Sequence, residues 1–138
     1  MFCLEVFEHL PPSETTDTLQ TIYKLLKPKG IIVIGVPVEI GMPALYKGIF
    51  RMIRRYGAFD ANLKNIFLSF CGYPPRNRPI SSIAQGVRFY YPHTGFDFRN
   101  LKKIIQNYFQ LQKVSTSPFK MLGTCLMPEV YFIANKKL

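Results

Sequence analysis

The sequence lacks the patterns that identify disulfide-rich, zinc-finger or membrane-spanning proteins. Its three cysteines, Cys3, Cys71 and Cys125, are scattered without CxxC spacing, which argues against a disulfide framework and against a cysteine-based zinc site. No apolar run approaches the roughly 18 residues of a transmembrane helix, and no basic segment followed by an apolar stretch resembles a signal peptide. We therefore expect a cytoplasmic protein with reduced thiols.

Long basic runs are also absent, although the net charge is +10. No run of lysine and arginine exceeds two residues and no nucleic-acid-binding motif occurs, so binding to nucleic acid is not favoured. The charge is uneven, because residues 41–138 hold fifteen basic and three acidic residues while residues 1–40 hold three basic and five acidic ones. Such asymmetry is typical of contact with an anionic surface, or of a chain whose charge is balanced by a more acidic segment.

The apolar content and the strand and helix patterns of the sequence predict one α/β domain with a hydrophobic core. At 138 residues and 48% hydrophobic content, the chain is long enough for one domain. Residues 1–4 look like the end of a buried strand, and Ser13 is a candidate N-cap for the following helix. The run "IIVIGVPV" at 31–38 is typical of a strand covered on both faces, so strand, helix and strand form a parallel crossover unit. The helix repeats apolar residues at helical spacing: Leu19, Ile22, Leu25 and Leu26.

Residues 41–88 are predicted to form an inserted, mostly helical cap or lid. The stretch is too long for an ordinary connection and has its own apolar content. In its first helix the apolar residues are Leu45, Ile49, Met52 and Ile53, and the basic residues are Lys47, Arg51, Arg54 and Arg55. Two interpretations stay open. Either the basic residues contact phosphate or anionic lipid head groups, with Ile49, Phe50 and Ile53 at the interface, or they form a solvated face of a lid over a pocket.

The regular pattern returns after the insert. Asp97 is placed to cap a helix that carries Leu101, Ile104 and Ile105 on one face. Two strands follow, "LQKVSTSPF" and "EVYFIANKK", joined by a link that contains proline and glycine. We expect them to form an antiparallel hairpin at the edge of the sheet.

The combination "CLEVFEHL…LLKPKGIIVIGVP", followed later by "HTGFDF" and a closing strand pair, resembles the class I methyltransferases that use S-adenosylmethionine (SAM). The resemblance covers residues 1–40 and about 89–138. It implies a Rossmann-like sheet seen from its fourth strand onward, with 1–138 as a single partial domain and 41–88 inserted in it. The family's glycine-rich turn belongs to the N-terminal half, and no such turn occurs in this sequence. The implied function is methyl transfer from SAM to an unidentified acceptor, with O-methylation of a small molecule favoured.

The resemblance also assigns candidate site residues. It places Cys3, Leu4 and Glu5 beside the cofactor. In two sub-families a motif like the one at Glu5, Glu8 and His9 holds a divalent metal, and a later histidine, here His93, completes the site. Such a metal would lower the pKa of an acceptor hydroxyl. His9 could instead serve as a general base without metal, or these side chains could be structural.

A non-catalytic function is the alternative. Without three preceding strands, the first strand would present an open edge with unpaired backbone groups, which proteins usually cover. A two-fold homodimer or strand exchange would cover it, so self-association is predicted. On this alternative the chain is an interaction module of methyltransferase descent that does not bind SAM by itself.

Overall fold

The computed structural model describes residues 1–137, with every side chain in that range except Ile83. Within these residues the chain is α/β, with a four-stranded mixed sheet, a two-stranded antiparallel sheet and five α-helices. The elements are β1 (Phe2–Leu4), α1 (Pro12–Leu25), β2 (Ile31–Pro37), α2 (Met42–Arg55), α3 (Leu63–Phe70), β3 (Ile80–Ala84), β4 (Val87–Tyr90), α4 (Phe98–Tyr108), β5 (Phe109–Ser117), α5 (Gly123–Leu126) and β6 (Glu129–Lys136). None of the helices described is both long enough and apolar enough to cross a bilayer.

The main sheet has the order β1-β2-β6-β5. β1 and β2 are parallel and α1 connects them, which confirms the predicted crossover unit. β5 and β6 are antiparallel, as expected, but only β5 lies at the edge of the sheet, because β6 is inserted between β2 and β5. Val130, Phe132 and Ala134 alternate along β6 and are fully buried, so one face of this strand packs against the core, while its backbone pairs with β2 on one side and β5 on the other.

The core lies between this sheet and helices α1 and α4. Every residue at an even position of β2 from 32 to 36 is fully buried, and the helices cover the sheet with apolar side chains spaced by three or four residues. The principal helical contributors are Leu19, Ile22, Leu101 and Ile105. The side chain of Asp97 caps α4 by accepting a hydrogen bond from the backbone of Arg99 at 2.9 Å, as its sequence predicts.

Three details of the first 26 residues differ from expectation. β1 is not buried, because it pairs only with β2, and Phe2 and Leu4 are exposed. Ser13 is not an N-cap: α1 begins at Pro12, whose missing N–H costs nothing in the first helical turn. Leu25 is 68% exposed, so the buried face of α1 does not include it.

The insert of residues 41–88 is mostly helical as predicted, with helices α2 and α3, and it also leads into a β-hairpin that was not expected. β3 and β4 pair through a two-residue turn, Gln85–Gly86, in which Gly86 adopts a φ of 84°. That positive φ is accessible to glycine at little cost. The hairpin bears on the candidate site because β4 ends at Tyr90, shortly before His93 in the chain.

Candidate metal and ligand site at the carboxyl end of β1

A sharp turn after β1 places the first candidate residues. Glu5 adopts a positive φ of 54° and its N–H donates to the carbonyl of Gly35 at 3.0 Å, which fixes the end of the strand. The turn from Val6 to His9 closes with a 3.0 Å backbone hydrogen bond. Phe7 is 2% exposed and belongs to the core, so it anchors this turn. Glu8 is consequently held inside the protein.

Glu8 is a buried carboxyl group without a hydrogen-bond partner among the described residues. Its side chain is fully buried, and neither carboxylate oxygen has a partner there. Burial chiefly, and then the neighbouring Glu5, raise the pKa of Glu8 to about 8. At neutral pH the group is therefore largely protonated unless a cation approaches it. A buried carboxyl in this condition is a typical feature of a ligand site.

Two imidazoles lie beside Glu8. His9 Nδ1 lies 2.7 Å from the carbonyl oxygen of Tyr90, and because a carbonyl only accepts, we assign the proton to Nδ1. His9 Nε2 lies 3.3 Å from His93 Nε2 and 3.7 Å from a carboxyl oxygen of Glu8. Burial lowers the pKa of His93 to about 4, so this ring is neutral at physiological pH.

The three side chains have the composition and spacing of a divalent-metal site. One ligand atom each from Glu8, His9 and His93 can be chosen so that all lie within 4.8 Å of one another. Ligands bound to one ion at about 2.1 Å are themselves roughly 3 to 4 Å apart, so little movement is needed to enclose a cation. The carbonyl that holds His9 Nδ1 is the kind of outer partner that orients metal-bound histidines.

Arg78 joins the turn after β1 to the chain around His93. Its guanidinium donates to the carbonyl oxygens of Glu8 at 2.7 Å and Pro92 at 2.6 Å, and it lies 4.2 Å from the centre of the Tyr90 ring. Burial lowers the pKa of Arg78 to about 10, which still leaves it charged at neutral pH. The N–H of Tyr90 also donates to the carbonyl of His9 at 2.8 Å. Arg78, just before the hairpin, and Tyr90, at the end of β4, thus hold the turn after β1 against the segment that carries His93 and so fix one side of the site.

Glu39 fixes the other side through α2. Its carboxylate is 1% exposed and accepts hydrogen bonds from Arg51 at 2.9 and 3.0 Å and from Lys47 at 3.1 Å. Arg51 also donates to Thr94 at 2.9 Å, next to His93. Burial alone would raise the pKa of Glu39, but the hydrogen bonds and charges of Arg51 and Lys47 lower it overall. The interpretation of Lys47 and Arg51 as a solvated face is therefore wrong, because both turn inward to this carboxylate.

A pocket of about 310 Å³ lies next to the cluster, at the carboxyl ends of β1 and β2. This is the edge at which open α/β sheets bind ligands. Its lining includes Glu5, Pro37, Glu39, His93 and Glu129. The pocket is therefore formed by residues at the ends of β1, β2 and β6 and by the segment before α4.

The predicted site residues are only partly brought together. Glu8, His9 and His93 converge, although 84 residues separate the two histidines. Glu5 lies outside this group of ligand atoms and lines the neighbouring pocket instead. Cys3 is half-buried beneath it, and Leu4 is 48% exposed at the sheet edge. Sequence reasoning missed Arg78 and Glu39, and the one available signal was that Glu39 is an isolated acid between a buried strand and a basic helix.

Comparison with known proteins adds no relative. No family model matches the chain, and no curated protein and no solved structure matches it either.

Proposed function

We propose that this chain is the C-terminal part of a SAM-dependent methyltransferase domain that transfers a methyl group to an unidentified acceptor, with O-methylation of a small molecule favoured. The observation that carries the proposal is the convergence of His93 with Glu8 and His9 at the carboxyl end of β1. The resemblance to the two metal-using sub-families anticipates this convergence, and chain proximity does not enforce it. The parallel β1–β2 pair and the pocket beside it support the same proposal.

The residues assigned to SAM supply one side of a cofactor site. The Glu5 carboxylate lines the pocket at the end of β1, and Cys3 lies within the strand that leads to it. SAM would provide an electrophilic methyl group. The chain's contribution is then to hold the acceptor in line with that group, since positioning is the main source of rate in such a displacement. The glycine-rich side of the site would come from another segment or another chain.

A divalent metal fits the other candidate residues. The orphaned carboxyl of Glu8 and the two facing Nε2 atoms offer one oxygen ligand and two imidazole nitrogens, a set suited to Zn²⁺ or Mn²⁺. A bound metal would lower the pKa of an acceptor hydroxyl and so make it a better nucleophile. Without metal, His9 Nε2 is the candidate general base for that hydroxyl, because the hydrogen bond from Nδ1 to the Tyr90 carbonyl orients the ring.

Glu5→Ala tests the cofactor assignment. We expect the variant to bind SAM at least about tenfold more weakly than the wild-type chain, because it removes a carboxylate from the pocket where charged hydrogen bonds are strong. Equilibrium titration of SAM into both proteins measures the change. Asp17→Ala, which removes an exposed carboxylate on α1, is the matched control. Equal affinities for wild type and Glu5→Ala would remove Glu5 from the site.

A second candidate function, a self-associating module without catalysis, is supported by the edge of β1. Among residues 1–137, no strand pairs with the outer side of β1, and Phe2 is 76% exposed there. We expect the chain to form dimers at micromolar concentration in light scattering, and we expect Phe2→Lys to favour monomers, since a lysine on an edge strand opposes pairing. Leu25→Lys, at a similarly exposed leucine on α1, should leave the dimer unchanged. A sharp monomer peak for the wild-type chain would eliminate self-association.

A further inference from the structure

The helices of the insert carry large apolar side chains on their outer surface. On α2, Ile49, Phe50 and Ile53 are 51%, 60% and 80% exposed. On α3, Leu63 and Phe67 are 61% and 63% exposed. We call these five residues the insert face. Single exposed apolar residues are ordinary, but several large ones on two packed helices usually mark an interaction surface.

The packing of α2 explains why this face is outward. Lys47 and Arg51 are held inward by Glu39. Gly48 lies against α3 so closely that a Cβ there would come within 2.6 Å of Ile66 Cγ1. With a charged cluster and a close helix contact on the inner side, α2 cannot rotate its apolar residues into the core. The apolar side chains of α2 stay exposed because the opposite side of the helix already packs against Glu39 and α3.

The insert has more basic than acidic residues, although Lys47 and Arg51 are paired with Glu39 and Arg78 lies at the candidate site. Residues 41–88 contain eight basic residues and one acidic residue, Asp60. Asp60 is buried and forms ion pairs with Arg51 and Arg55. Arg54 forms no ion pair within residues 1–137 and lies 5.8 Å from the centre of the Phe50 ring. The surroundings of the exposed apolar side chains therefore favour an anionic partner.

A basic pocket opens beside this surface. It has a volume of about 250 Å³ and is lined by Phe50, Arg51, Arg54 and Arg55. Arginine presents planar donors that match phosphate oxygens. Arg51 and Arg55 are already paired with Glu39 and Asp60, so Arg54 is the residue of this pocket that has no ion pair within residues 1–137. An exposed apolar face next to such a cation matches the layered chemistry of a bilayer surface, in which phosphates lie above acyl chains.

We infer that the insert face docks on an anionic membrane surface, with its apolar side chains at the acyl boundary and a lipid phosphate in the arginine pocket. The helices would lie in the plane of the interface and not span the bilayer. The inference rests on the exposure and charge of the insert and does not require methyl transfer, although Phe50 and Arg51 also line the pocket next to the candidate metal cluster.

Vesicle sedimentation of the 138-residue chain tests this inference. We expect binding to vesicles of equal parts phosphatidylcholine and phosphatidylglycerol, and little binding to phosphatidylcholine alone. Ile53→Ser should weaken binding to the mixed vesicles about tenfold by removing an apolar contact, and Arg54→Gln about fivefold by removing one charge. Leu25→Ser and Lys103→Gln make the same changes at exposed positions of α1 and α4, and both should bind like the wild type.

Three results would overturn the inference. The first is equal binding to neutral and anionic vesicles, and the second is an equal loss of binding in the control variants. The third is a dimer in light scattering without vesicles that Ile53→Ser converts to monomer, because the insert face would then be an interface between two copies. All four substitutions lie at the surface, so circular dichroism should confirm that each variant stays folded.

Discussion

His93→Ala is expected to lower the affinity of the chain for Mn²⁺ and Zn²⁺ by at least about 100-fold, more than the usual effect of removing an outer-shell partner. The substitution removes one of two facing Nε2 atoms, which lie 3.3 Å apart. Glu8→Gln should have an effect of similar size, because Glu8 provides the only carboxylate in the converging group. Titration calorimetry with each metal salt measures both changes.

The pH dependence of metal binding gives a second readout. A metal must displace the proton from Glu8, whose pKa is raised to about 8 by burial. The apparent affinity should therefore rise as the pH increases from 6 to 8, and this slope should disappear in Glu8→Gln. Asp17→Asn changes an exposed carboxylate on α1 and serves as the control. Wild-type metal affinity in both His93→Ala and Glu8→Gln would show that the cluster does not hold a metal.

Glu39→Ala is expected to destabilise the fold by about 2–4 kcal/mol, because it leaves two buried cations without their shared partner. Lys47 and Arg51 retain 20% and 17% side-chain exposure, so the cost falls toward the lower part of the usual range for a broken buried pair. Urea denaturation followed by circular dichroism measures the free energy of unfolding. A loss below about 0.5 kcal/mol, the level of an ordinary surface substitution, would contradict this role for Glu39.

The Glu39 carboxylate should also make the free energy of unfolding depend on pH. The folded-state pKa of Glu39 lies below its ordinary value of 4.5. Its contribution is therefore fully present above about pH 4.5 and is lost as the pH falls through the folded-state pKa. Glu39→Gln cannot titrate, so the difference in unfolding free energy between wild type and Glu39→Gln should shrink on acidification below pH 4.5. A difference that stays constant with pH would mean that the pairing with Lys47 and Arg51 contributes nothing.

The parts of the fold that could be predicted are those set by local periodicity. The continuous apolar run of β2, the helical spacing of Leu101 and Ile105, and the cap at Asp97 each carry their own signal in the sequence. The position of β6 between β2 and β5 depends on pairing between distant segments, and it was missed for that reason. The exposure of β1 depends on which neighbours a strand has, which periodicity does not report.

The orientation of α2 shows the same limit at the site. On one of the two interpretations that the sequence left open, the basic residues of α2 form a solvated face and its apolar residues cover a pocket. Glu39 reverses this arrangement, because a buried carboxylate draws Lys47 and Arg51 inward and leaves Ile53 in solvent. The convergence of His9 with His93 was anticipated only through the resemblance, and Arg78, which ties their segments together, carries no local signal at all.

The central claim is that the carboxyl end of β1 belongs to a SAM site, and calorimetric titration tests it most directly. The 138-residue chain is titrated with SAM and with its demethylated product, with and without Mg²⁺. We predict micromolar binding of both compounds, with a second copy of the chain completing the side of the site that the glycine-rich half would otherwise supply. No detectable heat at millimolar ligand, with a chain that circular dichroism reports as folded, would contradict the claim and leave the non-catalytic module as the function of this chain.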